Sequence, residues 1–225
     1  MTWIKICGIT NLEDAQMAVD AGADALGFVF YEKSPRGIDL ETAREIVTKL
    51  PQKVEKVGLF VYSDPERIHH IASEIGLTVV QLHGKELVEG VWEDERPAEE
   101  CFGVSKVIPV IPGDSLKDGG FFISQRAQER IFAILLDSQA NGSAAGGTGT
   151  TFDWEATQEM VQSLGVLVPV IVAGGLTALN VTRALDQLQP FGVDVSSGVE
   201  ARPGKKDPEK VRAFIAAVRQ ADKIV

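Results

Sequence analysis

Short apolar runs and segments of helical period take turns along the whole chain. Residues 3–7 (Trp-Ile-Lys-Ile-Cys) alternate, so Ile4 and Ile6 share one apolar face of a strand while Lys5 and Cys7 share the other. Residues 11–21 then carry Leu12, Ala15 and Val19 on one stripe of a helix. The same alternation predicts strands over 25–30, 56–61, 78–82, 104–111, 131–136, 168–173 and 192–195. Helices are expected over 40–50, stopped by Pro51, and from Asp64-Pro65 to residue 75, where Asp caps and Pro opens the first turn. Others are expected from residue 114 onward and over 153–164, 180–188 and 207–220. Residues 85–103 are the least regular stretch, because Glu93-Asp94-Glu95-Arg96-Pro97 breaks any single helix. Eight mostly apolar strands alternating with helices predict parallel pairing, each helix being the crossover to the next strand. The fold class is therefore α/β, a (β/α)8 TIM barrel spanning residues 1–225 as one domain. An open doubly wound sheet is the competing arrangement.

Composition narrows the partners. The 225 residues are 44% hydrophobic and 24% charged, enough apolar material for a large core without metal or disulfide staples. The formal charge is −10 with no Lys/Arg block, which argues against nucleic acid and anionic membranes as partners. Cys7 and Cys101 are the two cysteines and show no metal-type spacing, as expected in a reducing compartment. A strand beginning within three residues of Met1 leaves no room for a signal peptide, and no apolar run reaches membrane length, so a cytoplasmic protein is expected.

In a barrel, the polar residues at strand C-termini converge on one rim, which makes them the candidates for chemistry. These are Cys7, Ser34 and Arg36, His83, Asp137, the pair Gly174-Gly175, and Asp194 with Ser196 and Ser197. Lys5 beside Cys7 would favour the thiolate, the form that acts as base or nucleophile. It would equally serve as the partner of Asp194, since the first and eighth strands adjoin in a closed barrel. Gly174-Gly175 and Ser196-Ser197-Gly198 end strands seven and eight, where barrels hold phosphate on backbone amides and a helix N-terminus. Residues 142–151 read either as a second phosphate cradle or as a lid. Arg36 is suited to a bidentate grip on a carboxylate, or is a solvated loop arginine. His83 reads as structural or catalytic, His69 and His70 as solvent-facing, Cys101 as a buried filler, and the tryptophans as packing residues. No His/Cys/Asp/Glu cluster has ligand spacing, so no metal is expected.

Taken together, Lys5 to Thr10, Gly27 to Phe30 with Ser34-Pro35-Arg36, and Val80 to Gly84 resemble phosphoribosylanthranilate isomerases. Leu136-Asp137-Ser138, Gly147-Thr148-Gly149 with Phe152-Asp153-Trp154, Ala173 to Leu176 and Asp194 to Glu200 extend the resemblance to nearly every strand end. It implies a cofactor-free Amadori rearrangement in tryptophan biosynthesis. There N-(5-phosphoribosyl)anthranilate becomes 1-(2-carboxyphenylamino)-1-deoxyribulose 5-phosphate. On that resemblance Asp137 is the general acid, Cys7 the general base and Arg36 the grip on the anthranilate carboxylate. Gly174, Gly175, Ser196 and Ser197 hold the phosphate, with His83 and Asp194 elsewhere in the site. The thiol of such a base would have to titrate below its free value of ~8.5. The expected partner is a small phosphorylated substrate, and the expected state a monomer or homodimer. A broader aminoaldose-phosphate isomerase would place a carboxylate where Cys7 stands. A non-catalytic barrel binding a phosphorylated ligand is the alternative of a different class.

Overall fold

A computed structural model describes residues 1–84, 88–89, 91, 96–118, 123, 125–138 and 150–223. Eight strands pair in sequence order and close on themselves: β1 (Trp3–Cys7), β2 (Ala25–Phe30), β3 (Glu55–Val61), β4 (Val79–His83), β5 (Lys106–Pro112), β6 (Ile134–Asp137), β7 (Val170–Val172) and β8 (Gly192–Val195). Every pair is parallel, and β8 returns to β1 with Lys5 opposite Asp194 and Ile6 opposite Val195. The closed barrel excludes the open sheet.

Helices α1 (Leu12–Ala21), α2 (Leu40–Val47), α3 (Pro65–Ile75), α4 (Ala98–Phe102), α5 (Gln125–Gln128), α6 (Trp154–Leu167), α7 (Val181–Leu188) and α8 (Pro208–Ala221) lie between or after the strands. Their starts are fixed by local chemistry. The side chains of Asn11, Asp39, Asp64, Asp153 and Asp207 each accept a hydrogen bond from a first-turn backbone N–H. Alternate strand residues divide between two cores. Ile4, Ile6, Leu26, Phe28, Val80 and Leu82 face outward against the helices. Ala25, Val57, Val79, Ile108, Leu135 and Ile171 fill the barrel interior. That division puts Lys5, Cys7, Asp137 and Asp194 on the interior side of their strands.

Some boundaries differ from the expectation. The apolar run at 131–136 reads as one strand, but β6 begins only at Ile134. Phe132 instead closes the foot of the barrel, with its ring 6.0 Å from Trp3 and 5.9 Å from Phe191. The foot is apolar, so hydrophobicity alone does not mark where the ladder starts. After β8, a hairpin of β9 (Glu200–Arg202) and β10 (Lys205–Lys206) was not anticipated.

Candidate active site

Cys7 is the last residue of β1 and Asp137 the last of β6. Both therefore open onto the C-terminal mouth. In the closed order, β7 and β8 lie between them on one side of the barrel, carrying Gly174-Gly175 and Ser196-Ser197 at their ends. Close backbone approach holds this quarter together. Gly174 has φ +81°, and a side chain there would put its Cβ 2.8 Å from Asp137 Oδ1 and 2.4 Å from Ser138 Oγ. A Cβ on Gly198 would fall 1.9 Å from the carbonyl oxygen of Leu176, so the two loops touch backbone to backbone. Asn180 stiffens the first loop by donating to the Gly175 carbonyl at 3.0 Å and accepting from the Thr177 N–H at 2.8 Å. Among the described residues, Ser196 Oγ is buried without a hydrogen-bond partner.

Across the β1 end, Gly8 at φ +80° brings two further groups in. A Cβ there would lie 2.7 Å from Arg36 Cδ and 3.2 Å from Ser196 Oγ. Thus the arginine stem, the serine hydroxyl and the turn after Cys7 are neighbours. Beneath them, Cys7, Val29 and Leu59 form a small apolar cluster with Tyr31 and Val61 packed against it. The mouth thus has a glycine- and serine-lined quarter at β7 and β8 and an apolar quarter at β2 and β3.

Lys5, Asp194, Arg36, Glu200 and Lys206 are buried and paired at the mouth. Lys5 is fully buried, with Nζ 2.8 Å from Asp194 Oδ1. Burial opposes the ammonium charge, but Asp194 beside it, assisted by Cys7, holds Lys5 above the usual lysine range. Burial dominates at Cys7 and pushes the thiol up, against the pull of Lys5 and Lys206, with Asp194 adding to the rise. The expected lowering of the thiol by Lys5 does not occur, because burial outweighs the ammonium and Asp194 offsets it. His83 is driven down to about 3 by burial and by Lys5, so its imidazole is neutral; one ring nitrogen, Nε2, lies 2.9 Å from Gln81 Nε2.

Arg36 is not a solvated loop residue: it is 7% exposed. Its Nε and one terminal nitrogen donate to the two carboxylate oxygens of Glu200 at 2.9 and 2.8 Å. The same carboxylate accepts from Lys206 Nζ at 3.1 Å and from the Gly204 N–H at 3.3 Å. Lys206 also donates to the Ser196 carbonyl at 3.2 Å.

Residues 4–217 match the family model described as N-(5'phosphoribosyl)anthranilate (PRA) isomerase. The chain belongs to the phosphoribosylanthranilate isomerase family. A curated isomerase of this name from Geotalea uraniireducens is 45% identical over 215 residues, covering 96% of this chain and 97% of the relative. One from Rubrobacter xylanophilus is 44% identical, covering 97% of this chain and all of the relative. Among solved structures, the isomerase from Thermotoga maritima superposes with TM-score 0.76 at 40% identity, covering 98% of this chain and 100% of that one. A phosphoribosylanthranilate isomerase in complex with reduced 1-(o-carboxyphenylamino)-1-deoxyribulose 5-phosphate gives 0.73 at 39% identity, with coverages of 98% and 100%. A further similar structure, with TM-score 0.75 at 40% identity, is of mutually generated monomers of the dimeric phosphoribosylanthranilate isomerase from Thermotoga maritima. The chain is thus an isomerase.

In this isomerase the barrel collects Cys7, Arg36, His83, Asp137, Gly174, Gly175, Ser196 and Ser197 at one mouth, with Asp194 one step deeper against Lys5. Glu200 and Lys206 escape sequence reasoning as site residues. Glu200 stands in the stretch that resembles the family, which is the signal that could have drawn attention to it. Lys206 follows Lys205 and precedes Asp207, a run that reads as a solvated surface, yet it is 1% exposed. His69 and His70 are exposed and Cys101 is buried, as expected. Trp92 and the glycine-rich run at 139–149 lie outside the described residues. No helix among the described residues is long and apolar enough to cross a membrane, and no group of potential metal ligands occurs among them.

Proposed function

We propose that the isomerase carries out the Amadori rearrangement of N-(5-phosphoribosyl)anthranilate in tryptophan biosynthesis, with Asp137 as general acid and Cys7 as general base. The supporting observation is that both groups end interior-facing strands at one mouth, with the Gly174-Gly175 and Ser196-Ser197 loops between them. The substrate phosphate sits on the amides of those loops, where glycine permits close approach and the unpartnered Ser196 hydroxyl has a ligand to donate to. The anthranilate ring takes the apolar quarter by Val29 and Leu59, its carboxylate turned to Arg36. Neutral His83 and Gln81 supply uncharged polar contacts at the β4 end, and Asp194 acts from below by holding Lys5.

Asp137 protonates the ring oxygen, the C1–O bond breaks, and the anilino nitrogen's lone pair forms the Schiff base. Cys7 then removes the C2 proton, the electron pair moves into the enolamine, and reprotonation at C1 gives the ketose. No atom is gained or lost, and no cofactor is needed. A carboxyl near ~3.9 would be a poor proton donor at neutral pH. The acid role therefore requires a nearby anion to keep the carboxyl protonated, and the substrate phosphate on the adjoining Gly174 loop is the group proposed to do so. The elevated Cys7 thiol yields little thiolate, but a stronger base for a carbon acid. The substrate is a small phosphorylated molecule, the assembly a monomer or homodimer, and two free cysteines fit a cytoplasmic enzyme.

The test is steady-state turnover, followed by fluorescence with freshly prepared phosphoribosylanthranilate. Cys7→Ala and Asp137→Asn are each expected to lower kcat by about 10²–10⁴-fold with circular dichroism unchanged. Near-normal turnover in either variant removes that residue from its role.

A further inference from the structure

We infer that Glu200 is a positioning residue: its carboxylate sets the plane of the Arg36 guanidinium and couples the carboxylate grip to the phosphate ledge through Lys206. The inference rests on the reading of Arg36 as the grip on the anthranilate carboxylate.

An arginine at a loop tip can rotate about four side-chain bonds, so a fork aimed at a ligand needs something to stop it turning. Glu200 does so by taking Nε and one terminal nitrogen together, at 2.9 and 2.8 Å. Two parallel contacts on one edge fix both the plane and the rotation of the guanidinium, which a single contact would not. The stem is held as well, since Arg36 Cδ lies where any side chain on Gly8 would have to go. Glu200 is itself immobilised: it is 7% exposed, opens β9 of the hairpin, and accepts from Lys206 Nζ and the Gly204 amide. Lys206 continues the chain of contacts to the Ser196 carbonyl at 3.2 Å, within the loop assigned to the phosphate.

The same carboxylate serves two buried cations, pairing with Arg36 at 2.8 Å and with Lys206 Nζ at 3.1 Å. Burial pulls the Lys206 ammonium below its usual range, and Glu200 opposes that pull, so the group that orients Arg36 also supports the Lys206 charge.

The experiment measures KM and kcat with N-(5-phosphoribosyl)anthranilate for the wild type, Glu200→Gln, Glu200→Asp, Arg36→Ala and the double variant Arg36→Ala/Glu200→Gln. Glu200→Gln removes the charge, and Glu200→Asp keeps it one methylene short of the two-point clasp. Each is expected to raise KM by about tenfold or more while kcat changes by less than about threefold, the scale of one charged hydrogen bond. In the Arg36→Ala background, Glu200→Gln should add little, because the two residues act as a unit. Additive effects, an unchanged KM, or a fall confined to kcat overturn the inference. So does loss of the folded circular dichroism signal in both Glu200 variants, which would make the clasp structural. An unchanged KM in Arg36→Ala alone instead overturns the reading of Arg36 on which the inference stands.

Discussion

His83 and Cys7 carry the same lesson at the scale of single residues: burial decides their charge state before any neighbour does. At Cys7 the Lys5 ammonium is close enough to favour thiolate, yet it is shared with Asp194, and the thiol rises. At His83, burial and Lys5 act in the same direction and the imidazole falls to about 3. The histidine therefore has a pH signature in stability. In the unfolded chain it titrates near ~6.5. Between there and about 3 the unfolded state holds the extra proton, so stability is complete above the unfolded value and is lost as pH falls toward the folded one. The slope from this group alone approaches ~1.4 kcal/mol per pH unit. Urea midpoints measured from about pH 7 to about pH 4 should fall less steeply in His83→Gln than in the wild type. Parallel curves would mean that His83 ionises in the folded protein much as it does in water.

Between elements, the decisive fit is β1 against β2. Cys7 pairs with Gly27, and a Cβ on Gly27 would stand 2.8 Å from Cys7 Sγ and 3.1 Å from Lys5 Cε. The need at this glycine is space rather than an unusual backbone angle, so alanine folds there but displaces the thiol. With Cys7 as the proposed base, Gly27→Ala should lower kcat by roughly tenfold or more, since small misplacements of a reacting group are costly. Overpacking of about 1–3 kcal/mol should lower the melting temperature by only roughly 2–12 °C. Wild-type turnover with that modest thermal shift would show that the thiol tolerates movement. Helix starts were legible at this scale because caps are local: Asn11, Asp64-Pro65 and Asp207-Pro208 announce themselves. The β9–β10 hairpin was not, since its strands are three and two residues long and lack an alternating apolar pattern.

Across the whole molecule, closure is the event that builds the site, and it runs through a charge. The register that joins the first strand to the last sets Lys5 directly opposite Asp194, and their ion pair spans the seam inside the barrel. Removing one partner strands the other charge in the interior, so Lys5→Met should cost about 3–5 kcal/mol. Replacing both, in Lys5→Met/Asp194→Leu, should restore most of that, because well-packed apolar residues of similar volume substitute for a buried pair. Guanidinium unfolding of the two variants checks this, and a single variant as stable as the double would mean the seam does not depend on the pair. The sequence by itself determined the strand count, the alternating faces, the helix caps and the strand-end residues Cys7, Asp137, Gly174-Gly175 and Ser196-Ser197. All of these follow from periodicity and neighbours a few positions apart. Only the tertiary structure decided that Lys5 answers to Asp194, that Arg36 is clasped by Glu200 at a separation of 164 residues, and that Lys206 is buried. Those outcomes depend on which groups lose their water when the barrel shuts, and desolvation belongs to the closed assembly rather than to any local stretch of chain.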